Sequence, residues 1–191
     1  MAADHDDLWQ ALLRSGESVA TDEDYEHGYK QREVRRDLRH YVAFKVGNET
    51  YGLPIAEIEE ITKVFPTTYV PRTAEFLLGI GNVRGRIIPV VELARRLGLS
   101  AHGYGRGARV LIVSHGDEPY GLLVHQVLEV VRIPPEAMED RPGGISGRRA
   151  EYIRALGRHR GEIIIILNLA EVLDPRDFVR VGPPEEERGQ W

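Results

Sequence analysis

Residues 76–99 read FLLGIGNVRGRIIPVVELARRLGL, and the segment GNVRGR at 81–86 breaks an otherwise apolar run. Gly79–Val83 and Arg86–Val91 are short, rich in Ile and Val, and separated only by Arg84-Gly85. Two such runs joined by a two-residue, glycine-containing link predict a β-hairpin with Arg84 and Gly85 at its turn. The turn leaves the Arg84 charge outside the apolar strands, on a rigid support. Glu92–Leu99 then reads as a short helix closed by Gly98. The same glycines also match G-x-G-x-x-x-G. A dinucleotide loop of that kind needs a helix N-terminus behind it to hold the pyrophosphate. Here RIIPVV follows, β-branched and carrying Pro89, so the segment reads as a strand and the nucleotide reading fails.

The stretch has an echo further along. YIRALGRHRGEIIIILNLAEVLD, Tyr152–Asp174, aligns with residues 76–98 without a gap. Gly81 falls on Gly157, Arg84-Gly85 on Arg160-Gly161, Ile87-Ile88 on Ile163-Ile164, Leu93-Ala94 on Leu169-Ala170, and Leu97 on Leu173. A second echo precedes each copy: YVAFKVGNETYGLPIAEIEEI resembles RVLIVSHGDEPYGLLVHQVLEV, with Tyr51-Gly52 against Tyr120-Gly121. The chain therefore reads as two copies of one mostly-β unit of about five short strands each. Short strands with short connections suit small closed barrels, which leave no long sheet edge exposed. Two such barrels would pack side by side around an apolar interface.

Working outward, Tyr41–Val46 and Thr50–Leu53 flank a Gly47-Asn48-Glu49 turn, and Ile55, Ile58 and Ile61 suit a brief helical turn running into a strand. Thr73 is a candidate helix N-cap. HGYGRG, residues 102–107, reads as a flexible joint between the copies, and 142–149 as a loop. Residues 1–38 read as an acidic arm and linker, with Leu8, Trp9, Leu12 and Leu13 spaced for one short amphipathic helix. Residues 39–174 are the folded domain, jointed near 100–108, and 175–191 read as a mobile tail.

Composition narrows the function. The chain has 191 residues, no cysteine and a formal net charge of −5. Thiol catalysis and Cys-ligated zinc are excluded. The acidic N-terminus lacks the basic start of a signal peptide, and no apolar run approaches the ~20 residues a membrane span requires. The seven histidines show no metal-binding spacing. Ser114, His115 and Asp117 sit close in sequence, but Ser-His-Gly-Asp is turn chemistry. Arg106, Arg109, Arg148, Arg149, Arg158 and Arg160 form a candidate basic patch, and a small-barrel nucleic-acid-binding protein is the alternative reading. It would need exposed aromatics for stacking; only Tyr104 and Tyr152 lie near.

Taken together, the apolar-apolar-Gly start, Asn82-x-Arg84-Gly85, the strand with Pro89 and the Leu-Gly-Leu ending resemble the signature of the CheW-type chemotaxis coupling proteins. The resemblance runs from about Arg39 to Asp174. It implies two five-stranded SH3-like barrels and a non-enzymatic, cytoplasmic adaptor without cofactor. The partners it implies are a CheA-type histidine kinase and the cytoplasmic tips of chemoreceptors. It also implies four interaction residues. Arg84 matches the arginine that supports coupling, and Glu60 a glutamate that pairs with it or faces the receptor. Ile58 matches an apolar receptor-facing position, and Gly79 a glycine of the kinase-facing surface. His125 stands where this family often has aspartate.

Overall fold

The computed structural model describes residues 39–100, 103–141 and 148–179. The expected arm at 1–38, most of the 142–149 loop and the tail beyond 179 lie outside the described residues. The strands, in chain order, are β1 (Arg39–Val46), β2 (Glu49–Pro54), β3 (Ile58–Lys63), β4 (Thr67–Thr68), β5 (Leu77–Val83), β6 (Arg86–Glu92), β7 (Arg109–His115), β8 (Glu118–Val124), β9 (Gln126–Ile133), β10 (Met138–Asp140), β11 (Ile153–His159) and β12 (Glu162–Leu167). Short helices follow β6 (Leu93–Arg96) and β12 (Leu169–Val172). These are the predicted positions, because both halves end in the same L-A-x-x-L pattern.

Among the described residues the strands form two six-stranded sheets, ordered β10-β11-β12-β2-β1-β9 and β4-β5-β6-β8-β7-β3. The orders are the same once each strand is replaced by its repeat counterpart. The expected five strands per barrel become six through the two-residue β4 and three-residue β10. Neither sheet is one copy of the repeat: each copy lends its first hairpin to the other. Hairpin β1–β2 lies among β9–β12, and β7–β8 among β3–β6. The lent hairpins join through parallel pairs, Tyr51-Gly52 against Ile165-Ile166 and Gly121 against Val90. This explains the Tyr-Gly echo. A Cβ on Gly52 would lie 2.9 Å from Ile166 Cδ1, and one on Gly121 2.9 Å from Val110 Cγ1, so any larger residue would have to displace those core methyls.

The chain passes between sheets at the 3-10 turn Ile55–Glu57 and at the single residue His125. Residues 103–108 instead connect two elements of one sheet, with Tyr104 against its core. The joint expected near 100–108 is therefore not where the barrels exchange chain.

Period-2 alternation sends side chains to two different cores. On β7, Val110 and Ile112 fill their own barrel, with Ile88, Val90 and Leu123. Leu111 and Val113 point the other way, into a larger cluster with Phe44, Leu53, Leu93, Leu122, Leu167 and Leu173 drawn from both sheets. Tyr41, Ala43, Ile133, Ile164 and Ile166 fill the second barrel. Both faces of the central strands are covered, which is why these runs read as continuously apolar. Each fully buried Leu, Ile or Phe contributes about 1.5–3 kcal/mol.

Arg96, its side chain 3% exposed, fastens the halves. It lies between the Phe76 and Tyr152 rings at 4.6 and 4.8 Å. It donates to the Val172 and Glu171 carbonyls and pairs with Asp177 at 2.8 Å. Asp177 belongs to the 3-10 turn Pro175–Asp177, and Phe178 packs edge-on against Phe76 at 5.4 Å. Val179 bridges to Thr73. Residues 175–179, expected as part of a mobile tail, are thus a packed strap, held by a buried cation and an aromatic contact. Thr73 caps no helix; its hydroxyl donates to the Val70 carbonyl at 2.8 Å.

Candidate interaction surface

Arg84 (φ 52) and Gly85 (φ 84) both have positive φ, as do Arg160 (φ 50) and Gly161 (φ 84) in the repeat. Two successive positive φ values define the tight hairpin turn whose twist matches its strands. Gly85 N–H donates to Asn82 Oδ1 at 2.8 Å, which fixes the turn from within. The left-handed backbone at Arg84 is uncommon for a non-glycine residue.

The Arg84 guanidinium, 77% exposed, lies 2.9 Å from Glu60 Oε1 on β3. The β5–β6 hairpin and β3 stand well apart in the strand order, so this contact shows the sheet curled round on itself. A second pair runs beside it: Arg86 to Glu59 at 3.1 Å. Glu59 also accepts from the Ser114 hydroxyl. That hydrogen bond first, and Arg86 with it, holds the Glu59 carboxyl below its ordinary range. Ser114 is thereby committed to a carboxylate and not to an imidazole, which removes the triad reading.

Of the four expected residues, the structure brings Arg84 and Glu60 together. Ile58 lies at the start of the same strand, half-buried, and packs on the shared core opposite Val113. Gly79 is not on the surface. It is buried in β5 with φ 136, and a Cβ there would sit 2.1 Å from the Thr68 carbonyl oxygen. Its place in the expected kinase-facing surface is corrected to a support role: it lets β4 lie close.

The Glu59–Arg86 pair was not anticipated from sequence, and neither was the repeat's own version of the site. Arg160 lies 3.7 Å from Glu129 on β9, and the Tyr-Gly alignment carries Glu60 onto Glu129. The same strands also carry exposed apolar side chains: Ile61 and Ile87 on one barrel, Leu128, Val130 and Ile163 on the other. Three of the six arginines of the candidate basic patch make structural contacts, and the side chains of Arg148 and Arg149 lie outside the described residues. Arg109 donates to the Arg106 and Ala108 carbonyls, Arg158 pairs with Glu139, and Arg160 with Glu129. No group of three or more His, Asp and Glu suited to a metal occurs among the described residues, and no helix among them is long and apolar enough to cross a membrane.

The arrangement presents charged pairs on tight turns, on strands that also carry exposed aliphatic side chains. Comparison with known proteins agrees. A family model for the CheW-like domain matches residues 40–176. The chemotaxis protein CheW of Helicobacter pylori is 30% identical over 151 residues, covering 79% of this chain and 90% of that protein. Its counterpart from Treponema pallidum is 27% identical, with 74% and 85% covered. Protein PilI of Pseudomonas aeruginosa is 28% identical over 100 residues, 52% of this chain and 56% of that protein. Among solved structures, the scaffolding protein TtCheW of Thermoanaerobacter tengcongensis superposes with a TM-score of 0.68 at 31% identity, covering 72% of this chain and 93% of that one.

Proposed function

The chain belongs to the CheW-like family, and from that premise we propose that it is a non-enzymatic scaffold joining the cytoplasmic tips of chemoreceptors to a CheA-type histidine kinase. The observation that carries this reading is the Arg84–Glu60 pair, held at 2.9 Å between a tight turn and a strand anchored in the shared core. A fixed guanidinium with a carboxylate beside it orients a partner. Such a pair sets specificity and register more than raw affinity. Ile58 ties the Glu60 strand to the core between the barrels, so a force on this surface reaches both. The scaffold works without cofactor, at receptor arrays on the inner face of the membrane. It transmits receptor state by contacting the kinase differently in its on and off states.

The alternative small-barrel nucleic-acid reading is not favoured, because the chain falls in the CheW-like family and Arg109, Arg158 and Arg160 are engaged with carbonyls and carboxylates. A pull-down from native cytoplasm tests the proposal. Recovery of a histidine kinase together with chemoreceptors is expected; their reproducible absence with folded protein contradicts it.

A further inference from the structure

His125 is the one residue between β8 and β9, where the chain passes from one barrel to the other. Its backbone N–H donates to the Lys45 carbonyl at 3.0 Å. Its ring nitrogen Nδ1 accepts from Gly47 N–H at 3.2 Å, in the β1–β2 turn. The ring stacks on Tyr104, with centroids 4.4 Å apart and planes 29° from parallel. Tyr104 in turn packs against the core of the other barrel. One imidazole therefore touches both the tip of the lent hairpin and the wall of the barrel it came past. At the other crossover the repeat places Ala56 in the equivalent position.

We infer that His125 is a proton-controlled latch for the lent β1–β2 hairpin. Because Nδ1 accepts, the neutral ring must carry its hydrogen on Nε2. Uptake of one solvent proton at Nδ1 turns that acceptor into a donor, which then faces the Gly47 N–H, a second donor. That hydrogen bond is lost, the Gly47 amide is freed, and the turn keeps only the His125 N–H bond to the Lys45 carbonyl at this crossover. Histidine is the side chain whose ordinary titration falls between pH 5 and 8. The charged and titratable groups on the elements packed round it are Lys45, Glu49, Tyr104, Arg106, Arg109, and Glu92 with Arg95; Arg109 is turned to the Arg106 and Ala108 carbonyls. Lys45 Nζ is turned to the Asn48 carbonyl, and Glu49 accepts from the Tyr51 hydroxyl. Glu92 lies beyond Tyr104, paired with Arg95 at 2.5 Å. Burial first, and the Glu92 charge second, push the Tyr104 hydroxyl upward, so Tyr104 stays neutral throughout the range in which an imidazole titrates.

The test uses the isolated full chain, so its outcome does not depend on the scaffold reading. Hydrogen exchange at the Gly47 amide is measured by NMR from pH 7.5 to 5.5, corrected for intrinsic exchange, while the His125 ring resonances are followed in the same samples. The latch predicts that Gly47 protection falls at least tenfold over the pH interval in which the ring titrates, with the Leu111 amide unchanged. In His125→Asn, whose side-chain oxygen accepts without titrating, Gly47 protection stays level. Protection that stays within twofold while the ring titrates overturns the proposal, as does an equal fall in His125→Asn. Should that variant not fold, the wild-type comparison of ring and amide decides alone.

Discussion

The two halves of the duplication share a frame and differ in what they hang on it. Both carry the Arg-Gly turn with positive φ at both residues, and both aim its arginine at a glutamate on the edge strand at the far end of the sheet. On the first half that pair closes to 2.9 Å and is doubled by Arg86–Glu59. On the second it stands at 3.7 Å, and the positions equivalent to Arg86 and Glu59 are Glu162 and Leu128. The backbone device was kept; the surface chemistry diverged.

The sharpest break in the symmetry lies at Arg96, whose repeat counterpart is Val172. Arg96→Ala leaves Asp177 and two carbonyls without their buried cation. Loss of one partner of a buried pair costs about 3–5 kcal/mol. Chemical denaturation should show that loss, whereas Val172→Ala should cost about 1–3 kcal/mol through lost packing. Equal losses would remove Arg96 as the fastener of the halves.

A smaller contrast separates Gly79 from its counterpart Ala155. Gly79→Ala forces a Cβ against the Thr68 carbonyl at positive φ, at a cost of about 2–4 kcal/mol. Ala155→Gly removes a tolerated methyl and should cost about 1 kcal/mol. Thermal unfolding of both variants measures the difference, and a harmless Gly79→Ala would break the account of how β4 lies on β5.

The smallest effect concerns the strap, where Asp174 stands in place of Gly98. Hydrogen bonds from Arg176 hold the Asp174 carboxyl at about 2. A folded value below the unfolded one stabilises the strap above the ordinary aspartate range, ~3.9, and that contribution fades as pH falls through the folded value. Asp174 is half-buried but its partner Arg176 is exposed to solvent, so the effect on global stability is slight. NMR titration should find Asp174 near 2, and Arg176→Ala should return it toward the ordinary value.

Several features were legible in the sequence because local chemistry fixes them. The Arg84-Gly85 turn needs only a two-residue link between β-branched runs, and the L-A-x-x-L endings mark both short helices. The hairpin exchange was not legible. Tyr41–Leu53 and Arg109–Val124 carry the same pattern, so either hairpin suits either frame. The choice is made by crossovers only one to three residues long. Gly79 showed the same limit: a glycine reads alike on a surface and beneath a carbonyl. Phe178 and Asp177 looked like tail residues because their partners, Phe76 and Arg96, lie in the other half of the chain. Glu60 was paired with Arg84 only through the family resemblance, and Glu129 could have been found by extending the repeat alignment by one more step.

The central claim is that the Arg84–Glu60 pair is the coupling surface and not a brace for the fold. An exposed ion pair contributes about 0–1 kcal/mol, so Arg84→Glu and Glu60→Arg should unfold almost as the wild type does. Receptor-stimulated kinase activity in a reconstituted system measures the claim directly, with circular dichroism as the folding control. Each reversal should lower stimulation at least tenfold, and the double swap should recover part of it beyond additivity. Folded Arg84→Glu that supports wild-type stimulation would contradict the claim and leave the turn an ordinary solvated hairpin.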